Sequence, residues 1–159
     1  MNKRTKYSKL RNFLLISLIS LLITDCNKGE KNIIPDVPTD FVIDLNDPRF
    51  IDLNAIGNSV IVSSSYWGSV SAGYNNHGII VYRAGQDEFY AFDRTCTFEE
   101  QLNEAVNIDS LRTLTAKCPN CGSVYVLPSL AYPEKDGPAV YPLKQYYAEY
   151  SSNTVWVHN

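Results

Sequence analysis

Histidine and long apolar runs are scarce in this chain of 159 residues, and basic residues cluster only within the first eleven positions. The two histidines, His77 and His158, limit any histidine-based metal or catalytic site. No Ser-His-Asp set, paired-carboxylate motif or phosphate-binding glycine loop is present. The sequence therefore does not predict an enzyme in its own right.

The longest apolar run, FLLISLISLLI at 13–23, is about half as long as the roughly 20 residues that a membrane-spanning helix needs. It follows an N-terminal region with five basic residues and no acid, which is typical of a secretory signal. An N-terminal anchor helix is the alternative. Ile23-Thr24-Asp25-Cys26 resembles a bacterial lipobox, in which the cysteine becomes lipid-modified, although Asp25 departs from the usual small residue. A plain secretory signal with an unmodified Cys26 is the second alternative.

These features predict three segments: a signal at 1–25, a lipidated tether at 26–40 and one folded domain at 41–159. The tether is polar, contains two prolines and shows no periodicity. Residues 26–159 contain nine basic and 16 acidic residues. Because phosphate binding needs clustered basic residues, a nucleic-acid partner is not expected. We expect a protein of the cell envelope, on the periplasmic or surface face, held to a membrane through lipid on Cys26.

Short alternating or β-branched runs separated by turn residues predict an all-β domain, either a sandwich or a small barrel. Only the segment 98–111 leaves room for one helical turn. The predicted strands lie at residues 58–63, 78–83, 88–93, 123–127, 145–150 and 153–158.

Two cysteine loops and a later glycine-proline loop occur in a characteristic order. A predicted strand runs into Arg94-Thr95-Cys96-Thr97-Phe98, and Cys118-Pro119-Asn120-Cys121-Gly122-Ser123 follows. Gly137-Pro138-Ala139 and a final predicted hairpin complete the series. Over residues 50–159 this resembles a Rieske iron–sulfur domain. The resemblance implies a Rieske-like antiparallel β-sandwich or small barrel with both cysteine loops at one tip.

The resemblance also implies electron transfer through a [2Fe–2S] cluster to a redox partner protein. Rieske loops carry C-x-H and C-x-x-H, with two cysteines on one iron and two histidines on the other. Cys96 and Cys118 match the cysteines, but Phe98 and Cys121 stand at the histidine positions. Phenylalanine has no lone pair, so the implied metal ligands are Cys96, Cys118 and Cys121. The fourth ligand would have to be a residue such as Glu99, Glu100 or His77.

By the same resemblance, Ser123 and Tyr125 match positions that hydrogen-bond the cluster and a cysteine sulfur. Gly137 and Pro138 match the loop that shields the cluster. Two alternatives use the same cysteines. In an oxidising compartment Cys96 would form a disulfide with Cys118 or Cys121, giving a structural or binding module without a cluster. Otherwise the three thiolates and a further group such as His77 would bind zinc.

Two nearby features are predicted to be structural. Asp93 and Arg94 are interpreted as a local ion pair, and His158 as a solvated residue at the end of the last strand.

Overall fold

The computed structural model describes residues 33–63, 72–98 and 102–159. The predicted signal, Cys26, Glu99 and Glu100 lie outside these ranges. No helix among the described residues is long and apolar enough to cross a membrane.

The described residues form ten strands in two antiparallel sheets. The larger sheet has the order β1-β10-β9-β4-β3-β2, and the smaller has the order β5-β6-β7-β8. Short 3₁₀ helices cover Pro48–Asn54, Tyr74–Asn76 and Leu127–Ser129. The strands are β1 Asp40–Asp44, β2 Ser59–Val62, β3 Ile79–Arg83, β4 Phe89–Asp93, β5 Asn107–Ile108, β6 Thr115–Lys117, β7 Val124–Val126, β8 Tyr132–Pro133, β9 Gln145–Ser151 and β10 Thr154–His158.

The predicted all-β fold is confirmed, and all six predicted strands are present with ends within one residue of those expected. The last hairpin turns at Ser152 and Asn153, which both have positive φ. Such a two-residue turn matches the twist of the strands that it joins. The predicted helical turn within 98–111 is absent from the described residues of that segment, which instead contain β5.

Strand β3 is buried on both faces because it lies between two apolar cores. Ile79 and Val81 point into a first core with Phe41, Phe50 and other residues of the larger sheet. Ile80 and Tyr82 point the other way, into a second core. This two-sided burial explains why β3 is almost uninterruptedly apolar. The second core, called the cysteine core below, also contains Phe92, Cys96, Val106, Ala116, Cys118, Tyr125, Leu127, Ala131, Ala139 and Leu143.

The described end of the predicted tether, residues 33–40, lies against the domain. Ile34 is buried, at 2% exposure. The buried ammonium of Lys144 lies 2.6 Å from the Asp36 carboxylate, and this contact lowers the pKa of Asp36. The Asn159 side chain accepts a hydrogen bond from the Thr39 backbone N–H at 3.0 Å. Packing of the folded domain therefore begins several residues before β1.

Candidate metal centre

The first cysteine loop leaves β4 at Asp93, whose carboxylate fixes the backbone just before Cys96. Asp93 is fully buried. Its Oδ1 accepts the Thr95 N–H at 2.8 Å, and its Oδ2 accepts the Tyr74 N–H at 2.6 Å and the Tyr146 hydroxyl at 2.8 Å. Three hydrogen-bond donors thus compensate the burial of the Asp93 carboxylate. The bond to the Thr95 N–H fixes the backbone directly before Cys96, whose side chain lies in the cysteine core.

Asp93 and Arg94 have separate hydrogen-bond partners, and the Asp93 charge acts on Arg94 without a direct contact: burial lowers the pKa of Arg94, and the nearby Asp93 charge partly offsets this. Neighbouring residues at a strand end point in opposite directions. The Arg94 guanidinium instead donates to the backbone oxygens of Val106 and His77, at 2.9 and 2.8 Å. It therefore ties the first cysteine loop to its neighbouring segments.

The second cysteine loop is a tight turn between β6 and β7. The Cys118 N–H donates to the Ser123 oxygen at 2.9 Å, and the Gly122 N–H donates to the Cys118 oxygen at 3.1 Å. Gly122 has a φ of +77°, a conformation that glycine adopts without steric cost. The turn directs Cys118 and Cys121 towards Cys96.

The two loops bring all three predicted metal ligands together at one tip of the fold, as expected. The sulfur atoms of Cys96, Cys118 and Cys121 all lie within 4.8 Å of one another. The Cys96 and Cys121 sulfurs are 3.5 Å apart. Cys96 and Cys118 are fully buried, whereas Cys121 is partly exposed. This three-thiol group has the composition and spacing to hold a metal ion.

Two hydroxyl groups contact the sulfurs of the three-thiol group. The Tyr125 hydroxyl lies 3.3 Å from the Cys96 sulfur and accepts the Thr97 N–H at 3.1 Å. The Ser123 hydroxyl lies 3.2 Å from the Cys121 sulfur. Ser123 and Tyr125 therefore stand beside the sulfurs, where hydroxyl donors stabilise thiolate charge.

The Gly137-Pro138-Ala139 loop closes over Ser123. The Ala139 N–H donates to the Ser123 hydroxyl at 3.1 Å. A Cβ atom at position 137 would lie only 2.8 Å from the Ser123 Cα. Gly137 thus permits a close backbone approach, while Pro138 is exposed on the outer side of the loop.

The pKa values of the Cys96 and Cys121 thiols are shifted in opposite directions. Burial raises the pKa of Cys96 to about 12, against a smaller lowering effect of the Tyr125 hydrogen bond. Burial also acts to raise the pKa of Cys121, but contacts with Ser123, Cys118 and Cys96 together outweigh it and lower that pKa. Burial, followed by the contact with Cys96, raises the pKa of Tyr125. Without metal, Cys121 therefore ionises before Cys96.

A fourth protein ligand is missing among the described residues. Phe98 is half-buried and packs against the cysteine core. His77 Nδ1 lies 2.9 Å from the Thr95 hydroxyl, and His77 is not part of the three-thiol group. A [2Fe–2S] cluster takes four protein ligands. The described residues supply three, so they do not complete the ligand set of a Rieske cluster.

His158 is more enclosed than predicted. Its ring stacks on Trp156, with ring centroids 4.0 Å apart, and its Nε2 lies 3.4 Å from a Glu149 carboxylate oxygen. It is not part of the three-thiol group.

The three cysteines are free thiols in this structure. The 3.5 Å between the Cys96 and Cys121 sulfurs exceeds the roughly 2.05 Å of a disulfide bond. Closing that gap would need only a small movement of the partly exposed Cys121. A disulfide between Cys96 and either Cys118 or Cys121 stays a prediction.

Similarity to known proteins is confined to solved structures. No protein-family model matches the chain, and no curated protein matches it. The chain is similar to a structure of the complex of reduced oxygenase and oxidised ferredoxin in carbazole 1,9a-dioxygenase, at 24% identity, covering 65% of this chain and 82% of that one, with a TM-score of 0.43. It is also similar to the plasma membrane Rieske protein PetC3 of the cyanobacterium Synechocystis PCC 6803, at 21% identity. That match covers 63% of this chain and 99% of the other, with a TM-score of 0.45.

Proposed function

We propose that this chain is an envelope lipoprotein whose Rieske-like domain binds a metal centre through Cys96, Cys118 and Cys121 and transfers electrons. The observation that carries the proposal is the convergence of the three sulfurs within 4.8 Å. Thiolates of this kind favour iron–sulfur clusters, zinc and monovalent copper over hard cations.

The surroundings of the sulfurs support electron transfer more than catalysis. Burial and hydrogen bonds to the sulfurs are the means by which proteins tune the potential of iron–sulfur centres. Both are present at Cys96, which is fully buried and contacted by the Tyr125 hydroxyl. Cys121 is partly exposed, so a centre bound there lies close to the surface that a redox partner protein would approach.

The membrane location is proposed from the N-terminal sequence. The lipobox resemblance at Ile23–Cys26 supports lipid attachment at Cys26, with the domain on the periplasmic or surface face. Replacing Cys26 by alanine should release the protein from the membrane fraction. Cys121→Ser is the matched control, because it removes another thiol and should leave the protein in the membrane. Retention of Cys26→Ala in the membrane fraction at the same processed length as the parent would show that lipid on Cys26 does not hold it; retention at a longer, uncleaved length would be due to the apolar N-terminal segment.

Metal analysis tests the functional proposal directly. The full chain is extracted from membranes in detergent without air, and its absorption spectrum, metals, acid-labile sulfide and free thiols are measured. We expect stoichiometric metal, sulfur-to-metal charge-transfer bands and a reversible one-electron step in a redox titration. A metal-free, colourless protein would refute the proposal. If the protein contains only zinc and shows no redox step, the proposed metal binding stands and the proposed electron transfer is refuted.

The 3.5 Å contact between the Cys96 and Cys121 sulfurs favours one second candidate, a binding module held by a disulfide. The two cysteines are 25 positions apart. By the loop-entropy model, a bridge of this span contributes roughly 3 kcal/mol to the free energy of unfolding. In that case the purified protein would contain one free thiol in the domain, and reduction would lower its stability by about that amount.

A further inference from the structure

The spacing of the three sulfurs matches the coordination shell of one metal ion. Zinc–thiolate bonds are about 2.3 Å long, so two sulfurs on one tetrahedral ion stand roughly 3.8 Å apart. The observed separations, 3.5 Å for Cys96 and Cys121 and at most 4.8 Å for every pair, bracket that value. A single ion among the sulfurs would therefore need only small side-chain adjustments.

A two-iron cluster has a different spatial requirement. Its two irons are bridged by two sulfides and ligated from opposite ends, so ligands of different irons stand farther apart than ligands of the same iron. Cys121 occupies the position of a ligand to the second iron in the Rieske pattern. Yet its sulfur is in contact with that of Cys96, which would ligate the first iron. This arrangement leaves no room for four cluster atoms between them.

No histidine, carboxylate or further cysteine among the described residues joins the three sulfurs. Phe98 cannot ligate a metal, and the Nδ1 of His77 is directed at the Thr95 hydroxyl. Cys96 and Cys118 are closed off from solvent, whereas Cys121 is partly exposed. A fourth coordination position would accordingly be reached from this exposed side.

We infer that the tip is a one-metal site, in which three thiolates hold a single thiophilic ion and leave one coordination position to a small exogenous ligand. The inference rests on the proposed metal binding and departs from the two-iron cluster that the Rieske resemblance implies. Water or a small anion is the class of ligand that such a position accepts.

Cobalt(II) is a suitable probe because its absorption bands report thiolate ligation and coordination geometry. The full chain in detergent is reduced, stripped of metal and titrated with Co²⁺ under argon. We expect saturation at one ion per chain, with sulfur-to-cobalt charge-transfer bands. Added azide should then shift the ligand-field bands, because it enters the fourth position.

Substitutions assign the ligands. Cys121→Ser should weaken cobalt binding by at least about 100-fold, since the loss of even an outer-shell partner costs 10- to 100-fold in affinity. Cys118→Ser gives a second test at a buried ligand, and circular dichroism shows whether each variant is folded. His77→Ala, Glu99→Gln and Glu100→Gln remove the residues that the sequence offers as a fourth ligand, and each should leave both affinity and spectrum unchanged.

The outcomes separate the inference from the proposed function. Two irons and two labile sulfides per native chain would overturn the one-metal site and leave the proposed electron transfer standing. No metal in the native protein and no binding of Co²⁺ by the reduced protein would overturn both. Weakened binding in His77→Ala, Glu99→Gln or Glu100→Gln, or no response to azide, would overturn the open fourth position.

Discussion

The close approach of Gly137 to Ser123 makes Gly137→Ala a sharp test of how the tip is built. The added Cβ would stand 2.8 Å from the Ser123 Cα and 3.0 Å from its Oγ. Favourable contacts between carbon atoms lie at about 3.5–4.0 Å. Both of these atoms belong to Ser123, which is short and fully buried and so cannot move aside. The loop that carries Gly137 must therefore move.

The expected cost has two parts. Overpacking of this kind costs about 1–3 kcal/mol. Movement of the loop also removes the hydrogen bond from the Ala139 N–H to the Ser123 hydroxyl, which contributes about 1 kcal/mol. The free energy of unfolding should therefore fall by roughly 2–4 kcal/mol.

Urea denaturation of the reduced, metal-free chain, followed by intrinsic fluorescence, measures this change as a lower midpoint at constant slope. Gly85→Ala is the matched control, because its nearest neighbours are side-chain atoms of the exposed Glu88 at 3.3 Å. We expect the control to change stability by less than about 1 kcal/mol. If Gly137→Ala is as stable as Gly85→Ala, the loop does not press on Ser123 and the packing argument fails.

Three further predictions test hydrogen bonds and charges, two of them near the three-thiol group and one where residues 33–40 meet the domain. Tyr125→Phe removes the hydroxyl beside Cys96 and leaves a buried N–H unpaired, so urea denaturation should show a loss of about 1–3 kcal/mol, and no loss would contradict that role. Asp93→Asn keeps one acceptor oxygen but places an amide N–H₂ where the other oxygen accepts one or two of the three donors, so it should cost at least about 2 kcal/mol in the same assay, whereas a neutral result would mean that these donors find other partners. Lys144 lowers the pKa of Asp36 below its ordinary 3.8, so their contact stabilises the fold above that pH and is lost as the pH falls through the lowered pKa. Asp36→Asn should accordingly melt below the parent protein at neutral pH and approach it below about pH 4, and a constant difference in melting temperature would exclude the linkage.

The larger sheet was predictable where the sequence carries strong local signals. The strand at 79–83 is rich in β-branched residues, and the final hairpin is marked by polar turn residues. By contrast, β1 alternates as DFVID directly after a proline-containing stretch and is not among the predicted strands; its first residue, Asp40, lies in the predicted tether and the other four in the predicted domain. Strands β5 and β8 have two residues each, and pairing with the neighbouring strands defines them more than any sequence period.

The cysteine tip was predictable in its members but not in its geometry. Spacing and order identified Cys96, Cys118 and Cys121, yet the 3.5 Å contact between two sulfurs depends on how the loops pack. Asp93 was missed as a positioning residue for the same reason. The Thr95 N–H is a local donor, but the other two donors, from Tyr74 and Tyr146, come from separate parts of the chain, which no local motif records.

Strand β3 joins the cysteine core to the first core because its side chains alternate between them. Opening the tip enough to expose Ile80 would also disturb Ile79 and Val81 on the opposite face. Amide protons of β2 and β4, which pair with β3, should therefore exchange with solvent together with those near the thiols. Occupation of the tip by a metal ion would then slow deuterium uptake across the middle of the larger sheet, in strands that supply no ligand.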